Sequence, residues 1–245
     1  MENPHFEYLL QLGDNALILS QRLGEWCGHG PVLEQDIALT NMALDLLGQA
    51  RMLLTHAGNV EGKGHTEDDL AYFRDAHQFY NVLLVEQPNV DWAYTIVRQF
   101  FFDTWNYFHY QALLESRDEQ LAAIAEKSLK EVTYHLRFTS EWMLRLGDGT
   151  ELSHQKMQQA VDDLWPFTGE LTTPSPADQW AAAAGIGADL SKIKVLWQQK
   201  VAAVLAEATL QQPAGEWMQK GGKTGRHSEH LGFILAEMQH LQRTY

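Results

Sequence analysis

Residues 113–138 read LLESRDEQLAAIAEKSLKEVTYHLRF. On both sides of Arg117-Asp118 the chain follows the helical period, and the break between is no more than a short turn. Helices over 91–115 and 118–146 are therefore expected to lie antiparallel. Upstream, a second pair is expected over 8–27 and 33–58, broken at Gly28-His29-Gly30-Pro31. Further helices are expected over 67–85, 153–169, 189–210 and 226–243. The breaks between them fall at Gly62-Lys63-Gly64, Gln87-Pro88-Asn89, Gly147-Asp148-Gly149 and Thr172 to Gly187. Alternating strand-like runs are scarce.

Two helical hairpins joined by a long crossover predict an all-α chain, a ferritin-like four-helix bundle with additional helices. No polar linker divides the chain, so residues 1–245 are expected to form a single domain. The stretch 172–187 reads as a loop-like insertion over one end of the bundle.

Composition narrows the function. Of 245 residues, 45% are apolar, enough for a sizeable core, and the apolar runs are too short for a membrane helix. The N-terminal MENPHFEYLL carries no secretory signal, and Cys27 is the single cysteine, so a cytoplasmic protein is expected. A formal charge of −14 repels a phosphate backbone and argues against nucleic acid as a partner.

Glu131 and His135 raise the question of metal. A carboxylate-bridged di-iron site in a four-helix bundle needs Glu-x-x-His on two helices and a lone carboxylate on each of the other two. The carboxylates are nearly available as Glu25, Asp45, Asp103 and Glu131. The histidines are not: position +3 after Asp45 is Gly48, and after Glu131 it is Tyr134, with His135 one residue late. One histidine does not hold two irons. Asn41, Asp45, Gln49, Gln99, Asp103, Glu131 and His135 are then expected to form a polar seam through the bundle, hydrogen-bonded internally or to water. That seam is either an ordinary buried network or the remnant of a lost site.

Other motifs weigh toward plain structure. Gly221-Gly222-Lys223-Thr224 echoes the end of a phosphate-binding loop, but position 217 is Trp and no strand precedes it. Lys220, Lys223 and Arg226 remain as a basic loop that would dock an acidic partner or meet phosphates. His227 and His230 stand three apart without a third ligand, which fits a helix start better than zinc. Cys27 reads as a small buried residue, and the tryptophans Trp26, Trp92, Trp105, Trp142 and Trp165 mostly as core.

The segments LGDNALILSQRLGEWCGHGP, LEQDIALTNMALDLLGQAR, LLVEQPN, KMQQAVDDLWPFT and GGKTGRHSEHLGFILAEMQHLQR, together with 113–138, resemble the C subunits of the bacterial phenylacetyl-CoA epoxidases. The resemblance runs from about residue 8 to 243 and is weakest over 58–68 and 172–190. It implies a multicomponent monooxygenase that forms the ring 1,2-epoxide of phenylacetyl-CoA. Oxygen and NADPH are consumed, with electrons passing through a reductase subunit holding FAD and an iron–sulfur cluster. The di-iron centre belongs to the catalytic A subunit. The C subunit shares its fold, lacks the iron ligands and pairs with it as a scaffold.

The expected role is thus a structural subunit with no cofactor, catalytic residue or metal of its own, bound to the A subunit and to other epoxidase subunits. Ala76, His77, Gln78 and Phe79, joined by Ala177, Asp178 and Gln179, are the candidates for contact with the CoA ester. Asp45, Gly48, Asp103, Glu131 and His135 make the degenerate metal seam. The alternatives are an oxygenase in its own right, using Asp45, Asp103, Glu131 and His135, and a self-assembling structural protein.

Overall fold

A computed structural model describes residues 3–215 and 217–244; the expected domain's ends at 1–2 and 245 lie outside the described residues. The chain is all-α, with no strand among the described residues. Helix α1 (Pro4–Gly24) opens on Asn3, whose side chain caps the Phe6 amide, with Pro4 in the first turn. It pairs with α2 (Leu33–Glu61), which stops at Gly62 in a left-handed conformation. Helix α3 (Glu67–Tyr72) begins the crossover. Helix α4 (Trp92–Leu113), capped by Asp91, pairs with α5 (Glu119–Gly147), capped by Asp118.

These four long helices do not contribute equally. Residues Tyr8–Ser20 of α1 and Thr95–Asn106 of α4 are buried on every side, so α1 and α4 are the central helices. α2 and α5 flank them and touch each other. The remaining elements cover the inner pair: α6 (Glu151–Leu164) and α9 (Leu190–Glu207) lie on α4, while α8 (Pro176–Ala184) and α10 (Glu229–Met238) lie on α1. Short α7 (Gly169–Thr172) and α11 (His240–Thr244) complete the set. One buried apolar cluster runs from Tyr8 to Leu235. A T-shaped chain of Trp26, Trp92 and Trp142 packs at its edge, while Trp105 and Trp165 are buried.

Three expectations need correction. The helix predicted over 67–85 ends at Tyr72 and gives way to 3-10 turns at Ala76–Gln78 and Leu83–Glu86. Polar residues of α1 capture its backbone instead: the Asp14 carboxylate accepts from Tyr80 N–H at 2.9 Å and the Asn15 amide oxygen from Val82 N–H at 2.8 Å. Backbone groups satisfied by a neighbouring helix need no helix of their own. Second, the expected loop 172–187 contains α8, launched by a Ser175–Asp178 capping box with Pro176 in its first turn and closed by left-handed Gly185. Third, Cys27 is exposed, because it lies in the turn that follows α1.

Candidate functional site

The polar seam lies where α2, α4 and α5 meet, as three short hydrogen-bonded groups. His135 Nε2 sits 2.9 Å from Asp45 Oδ2. Gln49 Nε2 donates to Glu131 Oε2 at 2.9 Å, and the Tyr110 hydroxyl donates to Gln49 Oε1 at 3.3 Å. Gln99 Nε2 donates to Asp103 Oδ1 at 2.7 Å, and Thr139 Oγ1 stands 3.1 Å from Asp103 Oδ2 and 3.0 Å from the His135 carbonyl oxygen. Asp103 is fully buried. Burial drives its carboxyl up to about 7, against the opposing pull of His135, Gln99 and Thr139. Glu131 is also raised, first by burial, with Asp45 adding to it.

A neutral Asp103 has a consistent proton count here. Its carbonyl accepts from Gln99, its own O–H donates to Thr139, and Thr139 donates to the His135 carbonyl. His135 Nδ1 is buried without a partner.

This geometry does not fit a di-iron centre. Glu25 is the C-cap of α1 and is taken up by Arg22 and Asn89. Asn41 and Gly48 face solvent, not the seam, and a Cβ on Gly48 would meet nothing within 4 Å. Position 48 opens to solvent, although three residues after Asp45 it lies on the same side of α2. Among the described residues no three ligand atoms of the seam converge; the one group that does so is elsewhere.

Gly48 instead belongs to the outer stripe of α2. Leu33, Ile37, Leu44 and Leu47 recur on one helical face and are exposed by 71%, 50%, 61% and 41%. Asn41, Gly48 and Arg51 lie on the same stripe, and Tyr134 of neighbouring α5 is exposed beside the seam. Contiguous large apolar side chains left open to water on a helix mark a surface meant to be covered. The bare backbone at Gly48 leaves a flat interruption in that ridge.

A second region gathers three segments that are far apart in sequence. The turn at Ala76–Gln78, the start of α8 and the loop 220–226 meet beside the middle of α1. Lys223 Nζ is buried and forms an ion pair with Asp178 Oδ2 at 2.9 Å, with a further bond to the Thr173 carbonyl oxygen at 3.1 Å. Glu170 accepts from the backbone N–H groups of Leu83, Gly221 and Lys223. His227 spans Glu86 and the Phe79 carbonyl oxygen at 3.1 and 2.8 Å. A Cβ at Gly222 would overlap the Asn81 carbonyl oxygen, and one at Gly225 the His77 carbonyl oxygen. The glycines of GGKTG therefore permit close packing of this loop on the crossover, which is their role in place of phosphate binding.

Among the expected contact residues, Ala177, Asp178 and Phe79 are buried, whereas His77, Gln78 and Gln179 are exposed and Ala76 is half-buried. Of the basic loop, Lys223 is consumed internally, while Lys220 and Arg226 are exposed at the rim of a cleft of about 330 Å3. The sequence reading missed the buried anchors Asp14, Arg74, Glu86 and Glu170. A signal existed for Glu86: a carboxylate inside LLVEQPN, on a wholly buried run, demands a partner.

The description "Phenylacetic acid catabolic protein" fits residues 1–245 in full. The chain belongs to the phenylacetic acid catabolic protein family. It is 54% identical over 236 residues, 96% of this chain and 95% of the other, to the C subunit of the 1,2-phenylacetyl-CoA epoxidase of Escherichia coli (strain K12). Membership in the phenylacetic acid catabolic protein family fits a chain in which, among the described residues, no helix is long and apolar enough to cross a membrane.

Proposed function

We propose that this protein is a non-catalytic structural subunit of a phenylacetyl-CoA ring 1,2-epoxidase. It would form one ferritin-like domain in the cytoplasm that binds and stabilises the di-iron A subunit. The observation that carries this reading is the exposed apolar stripe of α2. α1 and α4 are covered by this chain's own extra helices, while Leu33, Ile37, Leu44 and Leu47 are left for a partner. Burying an exposed leucine contributes about 1.5–3 kcal/mol. Four such side chains fit the centre of an obligate interface, of the order of 2,000 Å2 or more.

In this reading the chemistry stays with the partner. The seam holds one imidazole and a carboxyl whose ionisation burial opposes, which favours a scaffold over an oxygenase built on Asp45, Asp103, Glu131 and His135. NADPH, FAD and the iron–sulfur cluster belong to the reductase subunit. The CoA ester held by the A subunit would meet the exposed rim of His77, Gln78 and Gln179, where Lys220 and Arg226 supply positive charge for its phosphates.

The test is co-purification of the chain with its A subunit. Leu44→Glu and Gly48→Arg change exposed positions without a packing role, so each variant should keep its helicity and melt no lower than the wild type. Each should weaken the pair at least 30-fold, the effect of losing about 2 kcal/mol. Iron should accompany the pair and not the chain alone. Undiminished pairing of both variants would refute the assignment of this face, and iron on the isolated chain that is lost on Glu131→Ala or His135→Ala would refute the scaffold role.

A further inference from the structure

Away from the seam, two imidazoles converge on one carboxylate oxygen. His5 Nε2 of α1 lies 2.8 Å from Asp118 Oδ2, and His56 Nε2 of α2 lies 2.6 Å from the same atom. The three ligand atoms all fall within 4.8 Å of one another. His56 stands about 16 Å along α2 from Asp45, at 1.5 Å per residue, so the cluster is distinct from the seam.

The elements that supply it are held in place. Asp118 uses Oδ1 to cap Leu121 N–H at 3.0 Å and donates its own N–H to Ser116 Oγ, which fixes the carboxylate and leaves Oδ2 to face the rings. The ring of His5 is packed between His56, edge-on at 5.9 Å, and Trp180 of α8 at 5.7 Å. The side chains of His5, His56 and Asp118 are 21%, 12% and 8% exposed, so the pocket is nearly closed but open to water on one side. Helix capping needs one carboxylate oxygen and no histidine. Two histidines from positions 113 and 62 residues away in sequence therefore call for another explanation.

We propose that His5, His56 and Asp118 form a binding site for a divalent transition cation of the zinc class, with water completing the coordination. Two imidazoles and a carboxylate are a suitable ligand set for zinc, at about 2.0–2.2 Å from each atom. Ligand atoms at such distances in tetrahedral arrangement stand about 3.4 Å apart, so a bound ion would move each imidazole nitrogen about 0.6–0.8 Å away from the Asp118 oxygen, within the reach of side-chain rotation. Ligation takes the Nε2 lone pair, so each ring carries its proton on Nδ1 when the ion is bound. Two neutral rings and one carboxylate leave a dication with net +1, in a chain whose formal charge of −14 favours cations. The ion would join the start of α1, the last third of α2 and the α4–α5 turn, tying both hairpins together at one end. Its role is structural, and it is independent of the role assigned to the outer face of α2.

The experiment uses the full chain, stripped with chelator and equilibrated with Zn2+, followed by equilibrium dialysis and elemental analysis. Co2+ in place of zinc gives a visible spectrum that reports coordination by imidazole. The expected result is one equivalent bound, with affinity reduced at least tenfold by His5→Gln and His56→Gln and unchanged by His135→Gln. Glutamine keeps an N–H for Asp118 and removes the imidazole. Melting in chelator shows whether the glutamine variants fold. If either does not, Asp118→Asn, which retains the oxygen that caps Leu121, decides in its place. No zinc retained by the wild type overturns the proposal. So does retention undiminished in the folded variants, since it would place the metal on other surface histidines.

Discussion

Replacing Asp103 with asparagine should stabilise the protein at alkaline pH and leave it almost unchanged at acid pH. The side chain is fully buried on α4, and burial raises its carboxyl from 3.8 to about 7. The unfolded chain releases this proton above about pH 4, while the folded chain keeps it to about 7. The native state therefore binds more protons across that window, and stability falls as pH rises through it. The difference between 3.8 and about 7 corresponds to about 4 kcal/mol between protonation states, at 1.36 kcal/mol per pH unit. Local relaxation around the anion lowers the figure, so a gain of about 2–4 kcal/mol is expected for Asp103→Asn at pH 8.

Asparagine also reproduces the neutral network. Its oxygen accepts from Gln99, and its amide donates to Thr139, which donates in turn to the His135 carbonyl. At pH 4 the two proteins should agree within about 1 kcal/mol, the range of an ordinary neutral hydrogen-bond exchange. The assay is urea denaturation of both proteins at pH intervals from 4 to 8, comparing the difference between them so that other titrating groups cancel. A variant less stable than wild type at pH 8, or a difference that does not change with pH, would refute the account of the seam as a neutral hydrogen-bonded network.

Gly48→Ala removes a glycine from a solvent-facing helix interior where nothing hinders a Cβ, and should raise stability by about 0.5–1 kcal/mol, measured as a higher denaturant midpoint. Lys223→Met leaves Asp178 buried beside no cation and should cost about 3–5 kcal/mol; adding Asp178→Asn should recover much of it, read from a double-mutant cycle. Burial opposes the charged form of His227, but the hydrogen bond and charge of Glu86 outweigh it and raise its pKa above 6.5. Its contribution is complete below 6.5 and is lost as pH rises through the folded value. Glu86→Gln should abolish that loss in denaturation curves taken from pH 6 to 9.

The register of helices was legible because it depends on local rules. The Asp118 turn, the Gly28–Pro31 break and the Gly147–Gly149 break carry their own capping and breaking chemistry, and apolar periodicity did the rest. The same locality explains the failures. Residues 67–85 have the composition of a helix, yet Asp14 and Asn15, more than sixty residues earlier, compete for its backbone N–H groups. Residues 172–187 look like a loop until Ser175 is seen capping Asp178 with Pro176 between them.

Residue order alone was enough to establish that the chain is helical, that it has a polar set on α2, α4 and α5, and that one histidine is too few for two irons. Which way those residues face came from packing. Spacing of three or four along a helix places two side chains on one side of it, but the side that is inside depends on what packs against it. Extra helices cover α1 and α4 and leave the outer stripe of α2, Gly48 included, in water. The meeting of His5, His56 and Asp118 was equally invisible. Residues that far apart in sequence become neighbours only through the crossing of three helix ends, and no local pattern records that distance.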